Sequence, residues 1–202
     1  MFGERFVRKA VRRYRRRGLD DRSRWLFDHA RQPGSEGASV LEIGGGIGTI
    51  SLALLRAGAA SATLLELSPA YEPAATELAV EQGFAGRARF VLGDLAAEPD
   101  LVPPADVVVL HRVVCCSPHG PALLAEGASH ARRVLVFSYP TRALWLRVAV
   151  WTLNRSLAAL GREYRMYLHD PARLLAAAAS SGLTPVAKQR EGLWYLAAFG
   201  RH

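Results

Sequence analysis

The stretch VLEIGGGIGTISLALL, residues 40–55, restricts the fold more than any other part of the chain. Val40, Leu41 and Ile43 are bulky and apolar, as a buried strand requires. Gly44, Gly45, Gly46 and Gly48 follow, and apolar residues at helical spacing resume at Ile50. Strand, bare turn and helix together make the first unit of a parallel α/β sheet. Glycines in the turn let the backbone take positive φ and let a ligand come close. In open sheets of this kind ligands lie beyond the carboxyl ends of the strands, so the turn is a candidate binding site.

The alternation continues downstream. SATLLEL reads as a second strand ending near Glu66, and Ser68-Pro69 reads as an N-cap and first position of a helix that runs to about Gln82. ARFVLGD and ADVVVLH are the third and fourth strands, the latter with the β-branched run Val107–Val109 of a strand buried on both faces. A helix over about 118–130 and the strand RRVLVFSY follow, then a helix capped at Asp170-Pro171. LTPVAKQ and GLWYLAAF close the chain as two strands joined near Glu191-Gly192. The expected fold is a doubly wound, mostly parallel seven-stranded α/β sheet with an antiparallel C-terminal hairpin. N-terminal helices precede it, and a helical insert over about 140–169 follows the fifth strand. QPGSEG, residues 32–37, is expected to be a loop.

Charge divides the chain unevenly. The net charge is +8 over 202 residues, and residues 1–31 hold eleven Arg or Lys against four acids, a net of +7. Residues 1–37 therefore read as a basic helical arm before a domain at 38–202. Phe2, Phe6, Val7, Ala10, Val11 and Tyr14 recur at helical spacing, so one face of the arm should pack on the body. Its charge is suited to nucleic acid, anionic lipid or an acidic substrate. No run of 18 uncharged apolar residues is present, and no apolar segment follows the N-terminal arginines, so neither a membrane span nor a secretory signal is expected. The only cysteines, Cys115 and Cys116, are adjacent and fit no metal spacing, which points to packing residues in a reducing, cytoplasmic setting.

Three acids stand near one edge of the expected sheet: Glu42 before the glycine turn, Glu66 at the end of the second strand and Asp94 at the end of the third. Three carboxylates disfavour a pyrophosphate and suit a ligand with cationic groups and ribose hydroxyls. The glycine spacing also departs from the dinucleotide fingerprint, with Gly48 one residue early and Thr49 in the third position.

With these motifs in order, LEIGGGIG, LLELS, VLGD and ADVVVLHRVV, the sequence resembles the Rossmann-like S-adenosylmethionine-dependent methyltransferases over about 38–138. A weaker likeness, carried by LVFSYP and YRMYLHDPARLLAAAASSGL, is to magnesium-protoporphyrin O-methyltransferases and similar small-molecule enzymes. The resemblance implies S-adenosylmethionine as cofactor and no metal. It implies contacts from Glu42, Gly44, Gly45, Gly46, Gly48, Glu66, Leu67, Asp94, Leu95 and His111, with Glu66 on the ribose diol, Asp94 on the adenine amino group and Glu42 giving negative potential to the ammonium. His111, after the fourth strand, is the candidate catalytic residue, as a base or as a group that shapes the site. Arg112, Tyr139, Trp145, Tyr167 and His169 are candidates for the acceptor side, with Arg142 nearby, and the insert is expected to cover the cleft as a lid. The partner expected is a small, apolar or aromatic molecule with an oxygen, nitrogen or carbon acceptor, and peripheral membrane contact through the insert is a further expectation. Two other readings compete: a nucleic-acid methyltransferase that uses the arm, and a non-catalytic interaction protein on the cofactor fold.

Overall fold

The computed structural model describes residues 3–31 and 36–201, so residues 32–35 of the expected loop at 32–37 and the apolar position Phe2 lie outside the described residues. Its seven strands are β1 (Ser39–Ile43), β2 (Ser61–Glu66), β3 (Ala88–Leu92), β4 (Ala105–Leu110), β5 (Ala131–Pro140), β6 (Thr184–Glu191) and β7 (Trp194–Gly200). They form one sheet in the order β3-β2-β1-β4-β5-β7-β6. The pairs from β3 to β5 are parallel, while β7 runs antiparallel to both β5 and β6. The strand order reverses direction between β1 and β4, which opens a crevice at their carboxyl ends.

Alternation along the strands feeds two cores. Val40, Val107, Val109, Val134 and Val136 face helices α1 (Glu4–Arg17), α2 (Asp21–Ala30), α3 (Thr49–Arg56) and α4 (Glu72–Glu81). Leu41, Ile43, Val108, Leu110, Leu135 and Phe137 face α5 (Gly120–Ser129) and α7 (Pro171–Ala179) on the other side. The α2 helix belongs to the packed body, with Leu26 and Ala30 fully buried. It starts where Asp20 Oδ1 accepts the Ser23 N–H at 2.9 Å, and α7 starts where Asp170 Oδ1 accepts the Ala172 N–H at 2.9 Å. Caps of this kind contribute about 1 kcal/mol each.

The expected Ser68 cap does not form. A 3-10 turn, Pro69–Tyr71, precedes α4, and the Ser68 side chain makes no capping bond. The Glu66 carboxylate, two residues upstream, takes the Leu67 and Ser68 N–H groups at 2.9 and 3.1 Å. The expected helical insert follows β5. It contains α6 (Leu144–Ala159), of which Leu146 and Val150 are the buried residues, followed by a chain without regular structure up to α7.

Candidate active site

The crevice is a cavity of about 850 Å³ whose floor is the glycine turn. Two local conformations shape that floor. Gly44 has φ +65 and lies against Val113, and Gly46 has φ +57 with Tyr71 3.4 Å from where a β-carbon would stand. A side chain at either position would be strained and would enter the cavity or its wall. The turn is tied to the neighbouring strand: Gly44 N–H donates to the Leu65 carbonyl at 2.7 Å, and Gly46 N–H donates to Glu66 Oε2 at 3.0 Å. Glu66 thus accepts three backbone N–H groups, from Gly46, Leu67 and Ser68. A carboxylate has about four lone-pair sites, so capacity remains for a ligand hydroxyl. Asp94 borders the same cavity and accepts the Ala96 N–H at 2.9 Å. Gly45, Leu67, Leu95 and His111 line it as well. Gly48 does not: it heads α3 and packs against Leu64.

Glu42 stands apart from the cavity wall. Its side chain points behind the turn, under Gly45, and Oε2 accepts the Ser51 N–H at 2.9 Å. Burial pushes its pKa up to about 7. Glu42 in this position braces the turn against α3. The negative potential expected from Glu42 for a ligand ammonium would have to act from behind the turn.

The end of β4 carries a second cluster. Arg112 is the single described non-glycine residue with positive φ, +59, a conformation that costs about 1–2 kcal/mol. Three contacts hold it there. Its N–H donates to Ser138 Oγ at 2.9 Å, its guanidinium donates to Asp20 Oδ2 at 2.8 Å, and it lies 5.9 Å from the Trp194 ring centre. His111 Nδ1 is 2.9 Å from the same Ser138 Oγ, and His111 Nε2 has no hydrogen-bond partner among the described residues. Burial, followed by the charge of Arg112, pulls the His111 pKa down to about 3, so the ring is neutral at physiological pH.

The remaining acceptor-side candidates do not border the cavity. Tyr139 is fully buried, stacked on Phe137 and Tyr195 at 5.8 and 5.4 Å, because β5 runs on to Pro140 and keeps it in the core between sheet and helices. Trp145 is on α6 and 59% exposed, and no α6 residue lines the cavity. Within the insert, α6 stands off the cavity, while Tyr164 and Met166 border it. Arg142 reaches instead to Asp170, at 3.9 Å. Tyr167 N–H donates to the Cys115 carbonyl at 2.8 Å, and His169 Nε2 lies 3.0 Å from the Ser117 carbonyl. Those two contacts fasten the segment after α6 to the turn at 114–116, which does border the cavity.

Other residues complete the wall. From α1 come Phe6, Lys9, Ala10, Arg13 and Tyr14; from elsewhere come Tyr71, Cys116, Tyr164, Met166 and Trp194. The adjacent cysteines also line it, with Cys116 Sγ 3.6 Å from the Tyr164 hydroxyl. The hydrogen bond from Cys115 holds the Cys116 thiol down to about 7. Asp20 is the most connected of the residues that sequence reasoning passed over. It caps α2, accepts from Arg112 at 2.8 Å and meets Arg13 at 3.4 Å. The Asp20–Ser23 spacing marks a cap, whereas a partner 92 residues away leaves no local signal.

Burial alone would raise the Asp20 pKa, but the Ser23 N–H and hydroxyl and the Arg112 guanidinium hold it well below the ordinary carboxylate range. A depressed folded pKa gives stability that is fully present above about pH 4 and is lost as pH falls through the folded value. We expect Asp20→Asn, which keeps a capping side chain, to lower stability at pH 7 by about 1–2 kcal/mol. The deficit should shrink steadily in acid. Chemical denaturation from pH 7 to pH 3 checks it, and a deficit independent of pH would remove the charge from the account.

Comparison with known proteins agrees with this geometry. Residues 40–135, from β1 into β5, match the family model described as a methyltransferase domain. None of the curated protein sequences matches the chain. Among solved structures, magnesium protoporphyrin IX methyltransferase from Synechocystis PCC 6803, with bound SAH, is 23% identical with a TM-score of 0.69. That match covers 98% of this chain and 88% of that one. An O-methyltransferase family 2 protein from Planctomyces limnophilus, in complex with apigenin, is 20% identical with a TM-score of 0.69, over 97% of this chain and 62% of that one. The [4+2]-cyclase SpnF is 14% identical with a TM-score of 0.64, over 89% and 81%. At such identities the likeness shows the fold, and the cyclase illustrates that one fold hosts more than one chemistry. The methyltransferase-domain match spans residues 40–135, and the glycine turn with Glu66 and Asp94 lies inside it, on a fold shared with the Rossmann-like structures named above.

Proposed function

We propose that the chain transfers a methyl group to a small, apolar or aromatic molecule in a reducing, cytoplasmic setting. The observation that carries this reading is the composition of the cavity beyond the glycine turn: Phe6, Tyr14, Leu19, Tyr164, Met166 and Trp194 line it, with α1 forming part of the wall. Apolar walls with a few polar groups suit a compact ligand. When bound, S-adenosylmethionine supplies a methyl group on a cationic sulfur, a leaving group that needs no acid. The task left to the residues is to hold the two molecules in line. In this reading Glu66 accepts from the ribose diol, Asp94 meets the adenine amino group, and the Gly44–Gly46 backbone receives the methionine part.

His111 then acts as a donor and not as a base. Ser138 Oγ accepts the Arg112 N–H at 2.9 Å, and the only other partner within reach of its single hydrogen among the described residues is His111 Nδ1, also at 2.9 Å. A hydroxyl donating to Nδ1 leaves the ring hydrogen on Nε2. That N–H is buried and unpartnered in a residue that lines the cavity, so an acceptor oxygen or nitrogen pressed against His111 would satisfy it. We expect kcat/KM to show no inflection between pH 5.5 and 8 attributable to His111, because its pKa lies near 3. Ser138→Ala should lower kcat about tenfold with little change in cofactor affinity. A rate that rises through pH 6.5 in the wild type and loses that rise in His111→Gln would restore the base.

The acceptor reading itself is tested by supplying the purified protein with S-adenosylmethionine and aromatic carboxylates, phenols and amines, followed by mass spectrometry. A mass gain of one methyl on a member of that set supports it, and modification confined to nucleic acid would replace it with the competing reading.

A further inference from the structure

The α6 helix is coated in apolar side chains on the side that faces away from the protein. Leu146, Val150, Asn154 and Leu157 recur at three- and four-residue spacing and form the inner stripe. On the opposite side Leu144, Trp145, Val148 and Trp151 are 73, 59, 59 and 64% exposed. At 100° per residue these four fall within a sector of about 120°. A solvent-facing helix ordinarily carries polar residues in such a sector. Here the charged residues are arginines. Residues 142–165 hold Arg142, Arg147, Arg155, Arg162 and Arg165 against a single acid, Glu163, and α6 itself has no acid. Arg155 lies 5.9 Å from the Trp151 ring centre, so a cation and an interfacial aromatic share one patch.

We propose that this face of α6 docks on a lipid bilayer that contains anionic lipid. The combination is specific to that partner: tryptophans and aliphatic side chains enter the boundary between headgroups and acyl chains, while arginines meet the negative surface. A protein partner of net negative charge would match the arginines but would not call for two protruding tryptophans beside Leu144 and Val148 on one exposed face. No helix among the described residues is long and apolar enough to cross a membrane, so the contact is peripheral.

The position of α6 gives the contact a use. Asn154 on its inner side clasps the segment that follows: Asn154 Nδ2 donates to the Met166 carbonyl at 2.8 Å, and Met166 N–H donates to Asn154 Oδ1 at 2.9 Å. Met166 and Tyr164 of that segment border the cavity. The docking face and the cavity wall are thus two sides of one layer, and an apolar acceptor held in the bilayer would have a short path to the site. This use rests on the apolar-acceptor reading, but the docking itself does not.

The test uses the full chain and vesicles without any acceptor. We expect co-sedimentation with vesicles of phosphatidylcholine containing about 30% phosphatidylglycerol, at least about tenfold weaker association with phosphatidylcholine alone, and weakening by salt. The double variant Trp145→Ala/Trp151→Ala should lose at least about tenfold in vesicle affinity while keeping wild-type S-adenosylmethionine affinity, since neither residue lines the cavity. Retained cofactor binding shows that the variant is folded. In the wild type, lipids brominated near the headgroup should quench tryptophan emission, and the double variant should lose that quenching. Vesicle binding equal in the double variant would assign the attraction to the basic N-terminal arm and overturn the proposal. So would absence of binding, or a concentration-dependent dimer that the double substitution dissolves, because a second copy would then cover the face. Failure of methyl transfer to every small acceptor leaves all these readings unchanged.

Discussion

Glu66→Ala is expected to weaken S-adenosylmethionine binding by about 3 kcal/mol, on the order of 100-fold. The size follows from two losses at one position. The carboxylate is the acceptor proposed for the ribose diol, and charge-assisted bonds of that kind are worth about 1.5–3 kcal/mol. It also ties down the Gly46, Leu67 and Ser68 N–H groups, so alanine frees both the glycine turn and the start of the next turn. Glu66→Gln separates the two. An amide retains one acceptor oxygen and adds a donor, so it should recover part of the turn and little of the charge. Calorimetric titration should therefore rank wild type, Gln and Ala in that order. Equal affinity for wild type and Ala, in a folded protein, would remove Glu66 from the site.

Removal of residues 1–17 is expected to cost turnover far more than cofactor affinity. This segment contains α1, which contributes Phe6, Lys9, Ala10, Arg13 and Tyr14 to the cavity wall and buries Val7 and Val11 on the body. Arg15 fastens its far end to Glu77 and Glu81 of α4. The glycine turn and Glu66 bond to β2 and to each other, with no partner in α1. We expect kcat/KM for the acceptor to fall about 100-fold as orientation in the site is lost, with the cofactor dissociation constant changing only a few-fold. Loss of the buried valines removes about 3 kcal/mol of packing, so a lower melting temperature is expected as well. Phe6→Ala provides the check that does not disturb the fold, because Phe6 is more than half exposed while it borders the cavity. It should raise the acceptor KM about tenfold. Full activity in the truncated chain would show that α1 is packing only.

Most of the sheet was legible because its signals are local. Val107–Val109 reads as a buried strand from three β-branched residues in a row, and the Gly44–Gly48 turn cannot continue either neighbouring element. Once the strand ends are known, Glu66 and Asp94 follow at the carboxyl edge, where the structure places them on the cavity. Glu42 shows the limit of that reasoning. Its position beside the turn was evident, but whether its side chain faces the ligand or the core depends on how α3 leaves the turn, and it turned inward to Ser51. The insert shows another limit. Trp145 and Trp151 announced an apolar surface, yet periodicity does not say whether that surface meets the cavity, the core or neither. Tyr139, near the end of β5, packs in the core against Phe137 and Tyr195. The links that build the acceptor side join distant residues: Asp20 with Arg112, Cys116 with Tyr164, and α1 with the cavity wall. Such pairs depend on the packing of several elements together, and single residue types or spacings do not encode them.

The central claim is that this chain moves the methyl group of S-adenosylmethionine to a small molecule held under α1. The most direct measurement supplies the purified chain with methyl-tritiated S-adenosylmethionine and a cell extract separated into organic-soluble small molecules, nucleic acid and protein. The account predicts label in the small-molecule fraction, lost in Glu66→Ala and recovered with wild-type protein. Label confined to nucleic acid or protein, or no enzyme-dependent label in any fraction, would contradict it.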